Sequence, residues 1–183
     1  MRKVLLHACC APCAAYPVNL LKNEGYEPVV YFYNPNIFPK DEHDLRLDEI
    51  IKYSKKESFA LVYEPYSPDD FENIARGLEN EPEKGKRCEK CILLRLNKTA
   101  QKACELKIKY FTSALTISPH KISKMIFEAG EFAAKSSGIE FLKYDFKKRD
   151  GFKIAQQIAR QNNMYKQNYC GCKYSIRANE QQS

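Results

Sequence analysis

The feature that most restricts the fold is an alternation. Short apolar runs rich in β-branched and aromatic residues take turns with longer stretches whose apolar residues recur every three to four positions. Lys3–Ala8 reads as a buried strand, followed by a helix from about Ala14 to Asn23 that stops at Gly25. Pro28–Tyr33 is a second strand, and Asn34-Pro35-Asn36 with Pro39 an ordered loop. A helix over His43–Ser58, a strand over Phe59–Tyr63 and a short helix from Pro68 to Arg76 come next, and then a polar, mobile loop over Glu79–Arg87. In Cys91–Leu106 the residues Ile92, Leu93, Leu96, Ala100 and Ala103 share one helical stripe. Strands at Lys109–Ala114 and Phe141–Tyr144 enclose a helix from Ile122 to near Gly138, and Phe152–Arg160 is a last helix. Strands alternating with helices imply an α/β domain with a mainly parallel sheet. A chain of 183 residues is expected to form one such domain over 1–178, with a disordered tail at 179–183.

A domain of this size buries enough surface to be stable without covalent staples, yet it has eight cysteines. That is about 4%, too few for a disulfide scaffold. Met1-Arg2-Lys3 before Val4-Leu5-Leu6-His7-Ala8-Cys9 has the outline of a lipoprotein signal, but the apolar stretch ends at Leu6, where a signal needs about 7–15 residues. No run approaches the roughly 18 apolar residues of a membrane span. The expected location is cytoplasmic, where grouped cysteines point to metal or redox chemistry.

Seven cysteines fall into three groups: Cys9, Cys10 and Cys13; Cys88 and Cys91; Cys170 and Cys172. The first follows strand one and opens helix one, the place where an open α/β sheet binds ligands and where a helix N-terminus favours thiolate. It holds no glycine, so a phosphate loop is disfavoured. Cys10-Ala-Pro-Cys13 and Cys88-Glu-Lys-Cys91 are both C-x-x-C pairs that can converge on one centre, an iron–sulfur cluster or a tetrahedral zinc. Adjacent Cys9 and Cys10 suit the larger cluster better than zinc. Cys170-Gly171-Cys172 reads as a strained, labile redox pair, with Gly171 giving the backbone freedom, as two further ligands, or as bystanders to the chemistry. Cys104, four and eight residues after Ala100 and Leu96, is expected in the core. His7 reads as a core or supporting residue, His43 as an exposed helix residue, and His120 as a candidate anion or substrate contact.

The charge is uneven. Residues 1–91 carry 13 lysines and arginines against 16 acidic residues, a net of −3; residues 92–183 carry 17 against 7, a net of +10. From Tyr144 to Arg177 cations alternate with aromatic rings, the pairing that holds phosphates and stacks splayed bases. The bland alternative is a solvated face over core aromatics. Because Cys170 and Cys172 share this stretch, redox chemistry and nucleic-acid contact are expected at one site, with a base extruded into it.

Taken together, His7-Ala-Cys-Cys-Ala-Pro-Cys13, Tyr33-Asn-Pro-Asn-Ile37 with Pro39, Glu42 and Arg46, Cys88-x-x-Cys91, Thr116-Ile-Ser-Pro-His120 and Tyr165-Lys-Gln-Asn-Tyr-Cys-Gly-Cys172 resemble the QueH family of epoxyqueuosine reductases. The resemblance runs from residue 3 to about 177. It implies a two-electron reduction of the epoxide of epoxyqueuosine to queuosine at the wobble position of a tRNA with a GUN anticodon. It also implies a [4Fe-4S] cluster on Cys9, Cys10, Cys88 and Cys91, with Cys170 and Cys172 as the redox-active pair and an electron donor it does not identify. Cys13, in the same loop, is then a candidate ligand to an additional iron ion, or a proton donor. Lys147 and Lys166 stand where arginine is expected; lysine keeps the charge and loses the planar fork. The architecture expected is a three-layer HUP-like or Rossmann-like domain. Two alternatives are a zinc-stabilised RNA-binding module and a cluster-dependent tRNA thiolase. The loop after strand one lacks the Ser-Gly-Gly pattern with which such thiolases hold ATP.

Overall fold

The computed structural model describes residues 2–180, with side chains to Ile176; the expected tail at 179–183 falls largely outside these. Five parallel strands, β1 (Arg2–His7), β2 (Tyr26–Phe32), β3 (Ala60–Tyr63), β4 (Tyr110–Ser113) and β5 (Glu140–Phe141), stand in the order β3-β2-β1-β4-β5. β1 is central: Leu6 registers with Val30 on one side and Thr112 on the other. Along each strand the side chains alternate faces. Val4, Leu6, Val30 and Phe32 pack on α1 (Ala11–Asn23), α2 (Lys40–Glu57) and α6 (Gly151–Gln161). Leu5, Val29, Tyr31 and Phe111 pack on α4 (Lys86–Glu105) and α5 (Ser123–Ser137). Both faces are covered, which is why these strands read as continuous apolar runs. The outcome is the expected three-layer, Rossmann-like α/β domain.

The strand order reverses at β1: the chain goes to β2 on one side and reaches β4 on the other. The crevice between the carboxyl ends of β1 and β4 is where such sheets bind ligands. Three stretches meet there. The cysteine loop joins β1 to α1. A single 3₁₀ turn, Ala114–Ile117, follows β4, its first turn closed by the Ser113 hydroxyl accepting from Leu115 N–H. After α6 an irregular strap, Met164–Cys172, crosses the same edge and leads into α7 (Lys173–Glu180).

Several boundaries differ from the sequence reading. α2 begins at Lys40, directly after Pro39, with Asp41 and Glu42 in its first turn where acidic side chains favour the helix dipole. α4 begins at Lys86, so both Cys88 and Cys91 lie on its first turns. The Glu79–Arg87 segment has an internal anchor. The buried Arg87 guanidinium donates to the carbonyls of Leu78, Glu79 and Glu81 at 2.7–3.1 Å and lies over the Tyr174 ring. β5 is two residues long, and α7 is an additional helix.

His43 is buried rather than exposed: its ring packs between Phe32 and Tyr66. Burial lowers its pKa despite the hydrogen bond to Asp44. Cys104 is exposed, its sulfur facing the Ser137 carbonyl. At about 100° per residue it lies roughly 80° around the helix from Leu96, whereas Ala103 lies within about 20° and is the buried residue.

Candidate thiol centre

Cys10 is extended at the N-cap of α1, and its sulfur accepts from Cys13 N–H at 3.4 Å, so the cap itself gathers the thiols. The Cys9, Cys10 and Cys13 sulfurs all lie within 4.8 Å of one another. Among the described residues they are the one group of three or more His, Cys, Asp or Glu donors that close. The contacts from Cys10 and Cys13 pull the Cys9 thiol well below its usual range. Burial pushes Cys10 up, and the two neighbouring thiols push Cys13 up. One thiol of the three is thus favoured to lose its proton first.

His7 ends β1 directly below this loop and is wholly buried. With Nε2 donating to the Tyr33 carbonyl at 3.3 Å, Nδ1 is left to accept from the Ser113 hydroxyl at 3.2 Å. Burial, assisted by the charge of Arg95, lowers its pKa to about 4. It is a neutral strut tying three strands, as the sequence suggested.

Cys9 and Cys13 line a cavity of about 400 Å³ that opens at the carboxyl edge, inside the size range of small-ligand sites. Lys84, His120, Lys121 and Lys166 surround it, and Cys170 contributes from the strap. Beside it lies a much smaller pocket, about 20 Å³, lined by Cys88, Cys91, Cys170 and Cys172. Cys170 belongs to both, so the three cysteine groups, remote in sequence, meet at one edge of the sheet. Lys121 reaches the Cys170 sulfur at 2.8 Å. Burial pulls the Lys121 ammonium down, but the Cys170 sulfur outweighs it and holds the group above its ordinary pKa. Burial raises the Cys172 thiol and takes Cys91 up to about 11.

The strap is pinned. Arg46, fully buried, donates Nε to Glu42 at 2.7 Å and its two terminal nitrogens to the Tyr169 and Cys170 carbonyls at 3.4 Å. Glu42 also accepts from the Tyr165 hydroxyl at 2.8 Å, and the Gly171 carbonyl accepts from Phe38 N–H at 2.8 Å. Gln167 donates to the Cys10 sulfur at 3.1 Å, tying strap to cysteine loop. Glu42 and Arg46 of the motif are therefore the clamp that presents Cys170-Gly171-Cys172.

Sequence reading missed Arg95. It sits on α4 one turn beyond Cys91, 2% exposed, its Nε donating to the Cys91 carbonyl at 3.3 Å. Burial lowers its pKa and the charges of Cys91, Cys170, Cys9 and Cys88 raise it, with the net effect upward. Among the described residues it pairs with no carboxylate. A buried charge is costly unless paired, so this guanidinium fits a centre that becomes anionic. A thiolate-held iron–sulfur group is anionic, and the donor set of soft sulfurs suits it. An arginine on the apolar stripe of a helix that also carries C-x-x-C was the available signal.

Thiols at the switch point of a parallel sheet, ringed by cations and open to a small-ligand cavity, suit an enzyme that works on an anionic ligand with cysteine chemistry. The family model described as "Epoxyqueuosine reductase QueH" matches residues 4–178. Curated relatives carrying that name include one from Streptococcus pyogenes, 40% identical over 95% of this chain and 70% of its own, and one from Acinetobacter baylyi, 38% identical over 96% and 81%. A third, from Dehalococcoides mccartyi, is 37% identical over 94% of this chain and 92% of its own. The fold is also shared with a protein described as a predicted subunit of tRNA methyltransferase from Methanocaldococcus jannaschii (TM-score 0.61, 14% identity, 87% of this chain and 75% of that one). A U34-tRNA thiolase from Methanococcus maripaludis, solved with its [4Fe-4S] cluster, shares it as well (TM-score 0.60, 12% identity, 95% and 61%).

The chain belongs to the epoxyqueuosine reductase QueH family. Its activity is reduction of epoxyqueuosine, an oxidoreductase step of tRNA modification, and tRNA is its substrate. That membership stands against the RNA-binding-module and thiolase alternatives. Among the described residues, no helix is long and apolar enough to cross a membrane.

Proposed function

We propose that the chain reduces the epoxide on the wobble nucleotide of a tRNA with a GUN anticodon, with an iron–sulfur group held by Cys9, Cys10, Cys88 and Cys91 and a redox pair formed by Cys170 and Cys172. The observation that carries this reading is the buried Arg95 without a carboxylate, placed among Cys9, Cys88, Cys91 and Cys170. A [4Fe-4S] cluster so held would supply electrons singly at the floor of the cavity.

The chain's own groups do the rest. Reducing the epoxide to a cyclopentene takes up two electrons and two protons and releases one water. Closing the Cys170–Cys172 disulfide gives up two electrons and two protons, so one closure balances one turnover, and an external donor reopens the pair. Lys121 and the Arg46 clamp hold Cys170 at the cavity wall for this exchange. Cys13, outside the four ligands and pushed up by its neighbours, keeps its proton at Sγ beside the cavity. That suits a proton donor, or a ligand to an additional iron after losing that proton. Lys84, Lys166 and His120 face the substrate's phosphates at the mouth.

Anaerobic reconstitution followed by iron and sulfide assay and electron paramagnetic resonance tests the centre. Iron and sulfide in equal amounts, lost in Cys88→Ser, are expected; a colourless protein with one bound zinc and no iron uptake refutes it. Nucleoside mass spectrometry of tRNA from a strain lacking the gene should show epoxyqueuosine in place of queuosine.

A further inference from the structure

The main cavity has one wall to which the chemistry above gives no task. It is built by α6, whose Phe152, Ala155 and Gln156 face the same space as Cys9 and Cys13. Phe152 lies on the stripe of the buried residues Ala155 and Ala159, yet its ring is 38% exposed. Of this stripe it is the member left bare, and it is bare where the cavity lies. Eight large apolar side chains are exposed among the described residues, and scattered single ones need no explanation. Phe152 alone of them lines the thiol cavity.

Besides the His120 imidazole, two aromatic rings border this cavity, Tyr169 and Phe152. Tyr169 is engaged: its hydroxyl donates to the Phe38 carbonyl and the Arg46 guanidinium lies 5.4 Å from its ring centre. Among the described residues Phe152 pairs with no ring and no cation. One turn along, Gln156 has no hydrogen-bond partner among the described residues, so both amide groups are available.

The wall is rigidly aimed. Gly151 opens α6 so close to its surroundings that a Cβ there would lie 1.8 Å from the Phe146 carbonyl and 2.6 Å from the Tyr16 ring. The two residues before it, Arg149 and Asp150, are both in the left-handed region (φ 52 and 59). This fixes the helix start and therefore the direction of Phe152. Lys148 and Arg149, which make no ion pair among the described residues, stand just before it.

We propose that Phe152 and Gln156 form the base-recognition wall of the site. Phe152 stacks on the planar bicyclic base of the nucleotide drawn out of the anticodon loop, and Gln156 hydrogen-bonds its edge, while the epoxide ring points to the thiols. A flat apolar face beside a bifunctional amide is what an extruded base requires. The assignment rests on the tRNA reading above and adds the residues that select the nucleotide.

The test is a binding measurement on the iron-loaded protein, held anaerobically, with three synthetic anticodon stem-loops. They carry guanine, unsubstituted purine or an abasic sugar at the wobble position. Wild type should bind the guanine loop most tightly and the abasic loop least. Phe152→Ala should weaken guanine-loop binding roughly 5- to 150-fold and leave abasic-loop binding unchanged, while Phe152→Tyr retains wild-type affinity. Gln156→Leu should bring the guanine-to-purine affinity ratio toward one. Equal weakening of all three loops by Phe152→Ala, or none, overturns the stacking role. An unchanged ratio in Gln156→Leu overturns the edge contact. If wild type binds no loop, the tRNA reading itself fails and this assignment with it. If wild type binds all three loops equally, only the assignment fails. A circular dichroism melt confirms that each variant is folded.

Discussion

Gly171 joins the two cysteines of the strap with φ +116, a backbone conformation nearly closed to side chains. A Cβ built there lies 3.1 Å from Ile37 Cγ1 and 3.2 Å from Arg46 Nη1. Gly171→Ala therefore meets two costs, about 1–3 kcal/mol for the backbone and about 1–3 kcal/mol for overpacking. Arg46 cannot yield, because Glu42 and two strap carbonyls hold it. The strap can yield, by letting go of Phe38 N–H and the two Arg46 contacts. The strain should thus appear as local release of residues 164–172, not as global unfolding. At about 2 kcal/mol the open population rises roughly 30-fold. Peptide-resolved alkylation of Cys172, buried in the closed form, should accelerate by that factor or more, with the melting temperature little changed and reductase turnover reduced. Wild-type labelling and turnover in Gly171→Ala would refute the pinned strap. Uniform acceleration at all buried cysteines would show that the strain is global instead.

Other expectations follow from the same contacts. Arg95→Leu should lower iron retention after reconstitution while the metal-free protein stays folded, because the buried cation that faces the sulfurs is removed; iron assay and urea denaturation together read this. Cys170→Ser should abolish turnover while iron and sulfide contents stay at wild-type values. Arg87→Lys should cost about 2 kcal/mol of local order, from lost charged hydrogen bonds to three carbonyls, seen as faster proteolytic cutting within residues 78–85. His43 is neutral in the folded protein because burial depresses its pKa below 6.5. The unfolded chain then binds more protons as pH falls, so stability is present above about pH 6.5 and lost below it. His43→Phe, which keeps the ring packing, should lessen the fall of the urea midpoint between pH 7.5 and 5.5, with the remainder carried by His7, whose pKa burial lowers to about 4.

The sheet and most helices were readable because their signals are local. Val4–Leu6 and Val29–Phe32 carry apolar side chains on both faces, and Ile92, Leu96, Ala100 and Ala103 recur at helical spacing. The misreadings share one cause, that sequence does not show what covers a residue. His43 looked exposed because its partners, Phe32 and Tyr66, come from other elements. Cys104 looked buried because an eight-residue step drifts off the stripe. At the site the three cysteine groups were visible, but their meeting was not. It depends on Arg46 reaching the strap 123 positions away and on the reversal of strand order at β1. Arg95 was hidden for a different reason: its partners are sulfurs rather than carboxylates.

The strap has a consequence for how the protein comes into being. The cysteine loop follows the first strand, but the residues that roof it, Gln167 through Cys172, are made some 150 positions later. At a ribosomal pace of about 5–20 residues per second, the early thiols spend roughly 8–30 seconds without their cover. Covering of these thiols therefore waits until the strap has been made, and until then the cysteine loop stands open to solvent.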